Sequence, residues 1–296
     1  MEITFLGTSF MIPTKRRNHT AILVTEEGEN VLIDCGEGTQ RQFKLADKNP
    51  CKLTKILITH WHGDHVLGIP GLIQTLNLNS YSKTLQIYGP RGTKRRMEAL
   101  QELFLHGYDI KMEVHEIDEG SVIEDGPIRI EAFRASHGVP CLAYSIEQRT
   151  KTKMDVSKLK KLGIKGPLIG ELQRGKDIIW EGKKVKSRDI THEQKGKKAA
   201  FILDTGMAEN LSKVAKDADV LICEAQYLDE DREKGEEYLH LTASQAGEIA
   251  KKANAKALYL THISQRYEMC EPKLIKEAKK KFSKVILAED LMRIEL

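Results

Sequence analysis

The chain has 296 residues, of which 40% are hydrophobic and 30% charged, with a formal net charge of +4. This length can bury a large core without disulfides, and the composition is that of an ordinary globular protein. Five scattered cysteines without a CxxC pair argue for reduced thiols and against a cysteine zinc site. No stretch approaches the roughly 20 apolar residues of a membrane span, and the start MEITFLGTSFMIP lacks the basic region of a signal peptide. We therefore expect a cytoplasmic protein without membrane contact.

Short apolar runs alternate with amphipathic patterns along the chain. In chain order, strands are predicted over residues 2–7, 21–26, 30–36, 55–60, 85–89, 128–136, 142–146, 199–206, 220–225, 257–262 and 284–290. Helices are predicted over residues 68–77, 93–104, 210–218, 242–254 and 272–282. Nearly unbroken apolar runs are typical of strands covered by helices. The pattern predicts an α/β chain with two strand-rich halves.

One segment interrupts this pattern. Between Arg149 and Lys198 the chain holds 16 Lys and Arg but only 6 Asp and Glu, so this stretch carries all of the positive excess. It shows few strand signals, one short amphipathic helix and a Gly-Pro turn. We interpret residues 150–198 as an inserted, flexible arm that binds a polyanion, while residues 1–149 and 199–296 form the main domain. A solvated loop is the alternative.

The segment THWHGDHVLG follows an apolar run and precedes a predicted helix. Residues two apart in an extended segment point the same way, so His60 and His62 can chelate one ion. Gly63 is expected to allow a sharp turn that presents Asp64 and His65 to a second ion. In open α/β sheets, sites lie at the carboxyl ends of strands.

Other predicted strands end in the same kinds of residue. His137, Asp204 and His262 each come directly after an apolar run and before a break. With the histidine segment they suit a dinuclear site, in which His60, His62 and His137 hold one ion, Asp64, His65 and His262 hold the other, and Asp204 bridges the two. Imidazole and carboxylate donors without thiolate favour Zn²⁺, with Mn²⁺ or iron as alternatives. Such a pair of ions equips a protein to hydrolyse phosphate or acyl bonds.

With HWHGDH, His137, Asp204 and His262 in this order, the chain resembles the metallo-β-lactamase-fold hydrolases over its whole length. The resemblance implies a four-layered αβ/βα sandwich with the site at one edge, where Asp34 supports the histidine loop. Four further motifs, PTKRRN, HGDHVLGIPGLIQ, CEAQY and HLTASQAGEIAKKA, resemble the RNase Z family of tRNA 3′-processing endonucleases. That family has H-E-A-T where this chain has CEAQ, and H-S-T where it has HLT, so Cys223, Gln226 and Leu241 are departures.

The resemblance implies roles for the matching positions. Two Zn²⁺ ions per subunit would act on precursor tRNA, with cleavage just after the discriminator nucleotide leaving a 3′-hydroxyl. Asp64 would also act as general base towards the attacking water, and His240, oriented by Glu224, would protonate the leaving 3′ oxygen. Family members commonly work as homodimers. The residues expected to contact the RNA are Lys15, Arg17, Asn18, Thr242 and, in the arm, Gly166 and Pro167.

Alternatives of other classes remain open at this point. A thioesterase, an arylsulfatase-like enzyme or a DNA nuclease uses the same fold, but the basic arm speaks against a small acyl substrate. A flavodiiron-type oxidoreductase would usually have Glu in place of His62. A non-catalytic RNA-binding protein would be expected to have lost some of the ligands.

Overall fold

The computed structural model describes residues 1–103 and 109–296. The first half of the chain contains β1 (Glu2–Gly7), β2 (Ala21–Glu26), β3 (Glu29–Ile33), α1 (Thr39–Leu45), β4 (Lys55–Leu57), α2 (Gly63–Val66), α3 (Ile69–Leu78), β5 (Thr84–Gly89), α4 (Thr93–Glu102) and β6 (Lys111–Glu116). It is followed by β7 (Val122–Asp125), β8 (Ile128–Arg134) and β9 (Leu142–Gln148).

The inserted segment contains β10 (Lys151–Met154), α5 (Val156–Leu162), α6 (Leu168–Gln173), β11 (Ile178–Trp180), β12 (Lys183–Val185), α7 (Ser187–Ile190) and β13 (Thr191–Gln194). The chain then continues through β14 (Lys198–Ile202), α8 (Leu211–Val214), β15 (Val220–Glu224), α9 (Arg232–Tyr238), α10 (Ala243–Lys252), β16 (Leu258–Thr261), α11 (Pro272–Lys279), β17 (Val285–Leu287) and β18 (Arg293–Glu295).

Most of these strands belong to two seven-stranded sheets of the described residues. Their orders are β18-β1-β2-β3-β4-β5-β6 and β17-β16-β15-β14-β9-β8-β7. One apolar cluster, with Phe5 and Phe201 among its members, draws on strands of both sheets and therefore lies between them. Two further clusters join the opposite face of each sheet to its helices. This is the four-layered αβ/βα sandwich that the resemblance implies.

In the two large sheets, the strands that the sequence analysis missed are sheet edges. β6 and β18 border the first sheet, and β7 borders the second. Their residues are mostly half-buried or exposed, so polar side chains interrupt the apolar run that identifies an inner strand. The predicted helix over residues 93–104 ends at Glu102 in the structure, and Phe104 lies outside the described residues.

The basic segment forms a compact unit of its own, Gln148–Gly196, which is called the arm below. The sequence signals one short helix here, whereas the structure has three helices and four short strands. β10 pairs with β13 and β11 with β12, and the helices pack around a small core of Leu159, Ile164, Leu172, Ile178 and Ile190. These strands have only three or four residues and carry exposed lysines, so they contain no apolar run by which the sequence could indicate them. Lys198, expected within the arm, instead begins β14 opposite Glu147 of β9.

None of the helices in the described part of the chain is both long and apolar enough to span a bilayer.

Candidate functional site

The histidine segment leaves β4 at the carboxyl edge of the first sheet. His62 has extended backbone, and α2 begins at Gly63, so that Asp64 and His65 lie in its single turn. Gly63 does not adopt a left-handed conformation, and the turn expected there comes from the start of the helix. The loop after β3 packs closely against this turn, because a Cβ on Gly36 would lie 2.3 Å from the backbone oxygen of Asp64.

Two clusters of potential metal ligands converge at this edge. One brings together His60, His62, His137 and Asp204, and the other Asp64, His65 and His262. Within the first cluster, His137 Nε2 lies 3.3 Å from His62 Nδ1. Within the second, Asp64 Oδ2 lies 3.3 Å from His65 Nε2 and 3.4 Å from His262 Nε2. All seven residues predicted as ligands therefore meet in one place.

Asp204 lies between the two clusters and divides its oxygens between them. Its Oδ2 is 3.6 Å from His60 Nε2 and 3.9 Å from His137 Nε2. Its Oδ1 is 3.2 Å from His65 Nε2 and 3.1 Å from His262 Nε2. A carboxylate with one oxygen towards each cluster has the geometry of a bridge.

Asp34 and Thr59 orient two of the imidazoles. The Asp34 carboxylate accepts a hydrogen bond from His65 Nδ1 at 2.6 Å and another from the Thr59 hydroxyl at 2.7 Å. Because the hydroxyl gives its only proton to Asp34, it accepts from His60 Nδ1, 3.0 Å away. With Nδ1 of both rings held in this way, Nε2 is the nitrogen left for a metal ion, as the supporting role expected of Asp34 requires.

The carboxylates and imidazoles of the site shift each other's pKa. Burial disfavours ionised Asp64, but His65 and His262 outweigh this and lower its pKa. Burial likewise disfavours protonated His65, but the carboxylates of Asp204, Asp34 and Asp64 raise its pKa well above the usual value. A buried group of carboxylates such as Asp34, Asp64 and Asp204 favours the binding of cations.

The unsatisfied atoms point the same way. His60 Nε2, His65 Nε2 and Asp204 Oδ1 are buried and have no hydrogen-bond partner among the described residues. Buried polar atoms are normally paired, and atoms left unpaired at the centre of a His and Asp cluster are the donors that a metal ion takes. The residues thus fit a site for metal ions.

His240 lies beside the two clusters, as predicted for the proton donor. Its Nδ1 is 3.1 Å from Glu224 Oε2, and its Nε2 is 3.9 Å from Asp204 Oδ2. Glu224 is fully buried at the end of β15 and also accepts the backbone N–H of Thr205. Burial disfavours the imidazolium, but Glu224 outweighs this and raises the pKa of His240 to about 9. In the metal-free protein, His240 therefore carries a proton at neutral pH.

Two of the three departures from the family motifs lie in an apolar environment. Cys223 and Leu241 are fully buried in the apolar cluster between the second sheet and its helices. Gln226 is also buried, and its Oε1 has no hydrogen-bond partner among the described residues. Nothing in the structure explains the choice of glutamine there.

The PTKRRN loop after β1 departs in part from its expected role. Lys15 is exposed, as an RNA contact requires. Arg17 is buried, where its guanidinium pairs with Glu271 at 2.7 Å and donates to the carbonyl of Ala288 at 2.6 Å. Asn18 donates from its side chain to the carbonyl of Glu37. The Arg17 charge is thus paired inside the protein and holds the loop in place, and its contact with RNA stays a prediction.

Thr242 is also structural. It is fully buried and caps α10, in a capping box where its hydroxyl accepts from the backbone of Gln245 and the Gln245 side chain accepts from the backbone of Thr242. The hydroxyl is therefore engaged in the cap, and the expected substrate contact stays a prediction. Gly166 and Pro167, by contrast, are exposed at the start of α6 in the arm.

The sequence analysis missed two groups that hold the site. The carbonyl of Leu239 lies 3.3 Å from His137 Nδ1, so the loop that carries His240 also orients a ligand. The ring of Phe10 lies edge-on to His262 and His240, with centroids 5.6 and 6.4 Å apart. The sequence feature that could have indicated Phe10 is the short apolar run Phe10 to Ile12, which stands in an otherwise polar loop.

Comparisons with known proteins agree with this geometry. The metallo-beta-lactamase superfamily profile matches residues 14–146, and a beta-lactamase superfamily domain profile matches residues 189–263. Ribonuclease Z of Methanothermobacter thermautotrophicus is 39% identical over 298 residues, covering 100% of this chain and 97% of the relative. Ribonuclease Z of Archaeoglobus fulgidus is 40% identical over 302 residues, covering 100% and 97%.

A solved structure extends the likeness. The short form of human tRNase Z is 29% identical, with a TM-score of 0.72, covering 100% of this chain and 99% of that one. The similarity is full-length, and it includes the strand ends that carry the two clusters. The chain therefore belongs to the ribonuclease Z family of the metallo-β-lactamase superfamily.

Proposed function

We propose that the protein is a tRNA 3′-processing endonuclease that removes the 3′ trailer of precursor tRNA just after the discriminator nucleotide. One observation carries the proposal: two ligand clusters share Asp204, with the His240–Glu224 pair beside them, in a chain about 40% identical to ribonuclease Z over its full length. The tRNA product would keep a 3′-hydroxyl, and the trailer would begin with a 5′-phosphate.

The metal ligands in this proposal are His60, His62 and His137 for one ion and Asp64, His65 and His262 for the other, with Asp204 between them. Two Zn²⁺ per subunit suit the donors, because neither cluster contains a thiolate; Mn²⁺ is the alternative. Bound metal ions activate water at neutral pH and balance the charge that builds up on the phosphate.

The chain's own groups then move the protons. By resemblance to the family, Asp64 accepts a proton from the attacking water. His240 gives a proton from Nε2 to the leaving 3′ oxygen, while Glu224 fixes the ring through Nδ1. Since an alkoxide leaves poorly at neutral pH, a positioned acid accelerates this step by about 10²–10⁴.

The arm supplies the second half of the proposal. Its exposed lysines and its Gly166–Pro167 turn make it suited to docking a folded tRNA through backbone contacts. Lys15 contacts the acceptor end. By resemblance to the family we also propose a homodimer, which light scattering would test. A cytoplasmic location is consistent with the five free cysteines.

A labelled precursor tRNA tests the reaction. The protein is stripped with a chelator, and Zn²⁺ or Mn²⁺ is then added back. Cleavage at the discriminator only after metal addition, with a 3′-hydroxyl on the tRNA, is the expected result. Thioester hydrolysis without RNA cleavage would instead assign the protein to another hydrolase class on the same fold.

A further inference from the structure

A second basic surface lies next to the site and outside the arm. Residues 91–96, RGTKRR, called the basic turn below, join β5 to α4 and carry Arg91, Lys94, Arg95 and Arg96 with no acidic residue among them. β5 pairs in parallel with β4, so the basic turn leaves the sheet at the same edge as the histidine segment.

Three of the four charges of this turn form no ion pair within the described residues. Arg91, Lys94 and Arg95 are exposed, and none of them pairs with an acidic side chain of the described residues. The Glu116 carboxylate accepts the backbone N–H groups of Gly92 and Lys94, at 2.9 and 3.1 Å, so the start of α4 already has its anion. Cations in the first turn of a helix oppose the helix dipole and reduce stability. A binding role accounts for their presence better than a folding role does.

Trp61 ties the basic turn to the catalytic edge. The indole Nε1 donates to the Thr93 hydroxyl at 2.9 Å, and the Arg96 guanidinium lies over the indole ring, 5.7 Å from its centroid. Trp61 stands between the ligands His60 and His62 in the chain. The cations are therefore held at a fixed place relative to the ligand clusters.

The position of His240 indicates which part of the RNA reaches this turn. His240 is in contact with Phe10, in the loop after β1, and the sheet order places β4 between β1 and β5. The 3′ oxygen protonated by His240 belongs to the tRNA body, which thus lies towards the Phe10 side. The RNA on the other side of the scissile phosphate is the trailer.

We propose that the basic turn binds the backbone phosphates of the single-stranded 3′ trailer, an inference that rests on the proposed function. Arg91, Lys94 and Arg95 each take a phosphate, while Arg96 stays on Trp61. Because phosphate contacts carry no base information, the interaction depends on trailer length and salt and is indifferent to trailer sequence.

The test compares two precursor tRNAs, with trailers of about one and about twelve nucleotides. In the triple variant Arg91→Ala, Lys94→Ala, Arg95→Ala, we expect KM for the long trailer to rise about tenfold and KM for the short trailer to change less than about twofold. Three lost phosphate contacts should also lower the log–log salt slope for the long trailer by about 2. Equal KM changes for both trailers, or no change for either, would overturn the proposal.

A matched variant controls for the loss of charge. Lys252→Ala, Lys279→Ala, Lys280→Ala removes three exposed cations from the helices outside the second sheet, and its KM should not depend on trailer length. Anisotropy with a free twelve-nucleotide RNA measures the surface without any cleavage. If no tRNA is cut and only the basic-turn variant loses this binding, the proposed function fails while the RNA surface stands. If the basic-turn variant binds the free RNA as the parent does, the surface assignment is wrong.

Discussion

The catalytic edge and the arm use charged residues in opposite ways. At the catalytic edge the ionisable groups are buried, and the carboxylates of Asp34 and Glu224 hold histidine rings in place through hydrogen bonds. In the arm a few apolar side chains form a small core, and lysines such as Lys153, Lys160 and Lys161 extend into solvent. Chemistry on a phosphodiester needs groups held within fractions of an ångström, whereas docking of a polyanion needs charge that water and RNA can reach.

The largest effect should come from the residue shared by the two ligand clusters. Asp204→Ala removes both carboxylate oxygens, so metal binding should fall at both positions, and turnover should drop by about 10³ or more, the equivalent of several kcal/mol. Metal analysis and cleavage of both precursor tRNA and a small phosphodiester would measure this. Full metal content in the variant would contradict a bridging role.

Removing the proton donor should separate chemistry from binding. His240→Ala is expected to lower turnover by about 10²–10⁴ while RNA affinity stays nearly unchanged, because the ring touches the leaving oxygen only in the reaction. Glu224→Gln should lower turnover in the same direction, since it weakens the hold on Nδ1. A large loss of affinity at unchanged turnover would refute the assignment.

Removing the arm should show the opposite separation. The register of Lys198 opposite Glu147 allows residues 149–197 to be replaced by a short Gly-Ser linker between β9 and β14. We expect kcat/KM for precursor tRNA to fall about 10²-fold through the lost electrostatic contacts, with hydrolysis of a small phosphodiester nearly intact. If both activities fall equally, the arm is not a docking element.

The smallest change tests how much the support of the ligands matters. Asp34→Asn keeps the shape but weakens the hydrogen bonds to His65 and Thr59, so metal affinity should fall about 10–100-fold. Competition with a chelator would measure it, and Asp47→Asn, at an exposed acid in the same unit, is the control. Equal affinity in both variants would show that Asp34 does not act through the ligands.

Local chemistry determined much of this protein. Apolar runs placed the inner strands, and the residue after each run, such as His137, Asp204 or His262, is recognisable as a ligand without knowledge of where the strands lie. The α/β class follows from the same pattern, because strands covered by helices must be apolar on both faces, whereas the four-layered sandwich was implied by the family resemblance. The edge strands β6, β7 and β18 were not predicted, because their exposed side chains do not have to be apolar.

Only the tertiary structure decided which polar residues are free to bind. Arg17 and Thr242 look like substrate contacts in the sequence, yet one pairs with Glu271 across 254 residues and the other caps a buried helix. Trp61 and the basic turn look unrelated, yet the pairing of β4 with β5 brings them together. The sequence determines which groups a side chain carries. Burial and long-range partners determine whether those groups bind within the protein or remain accessible to a substrate.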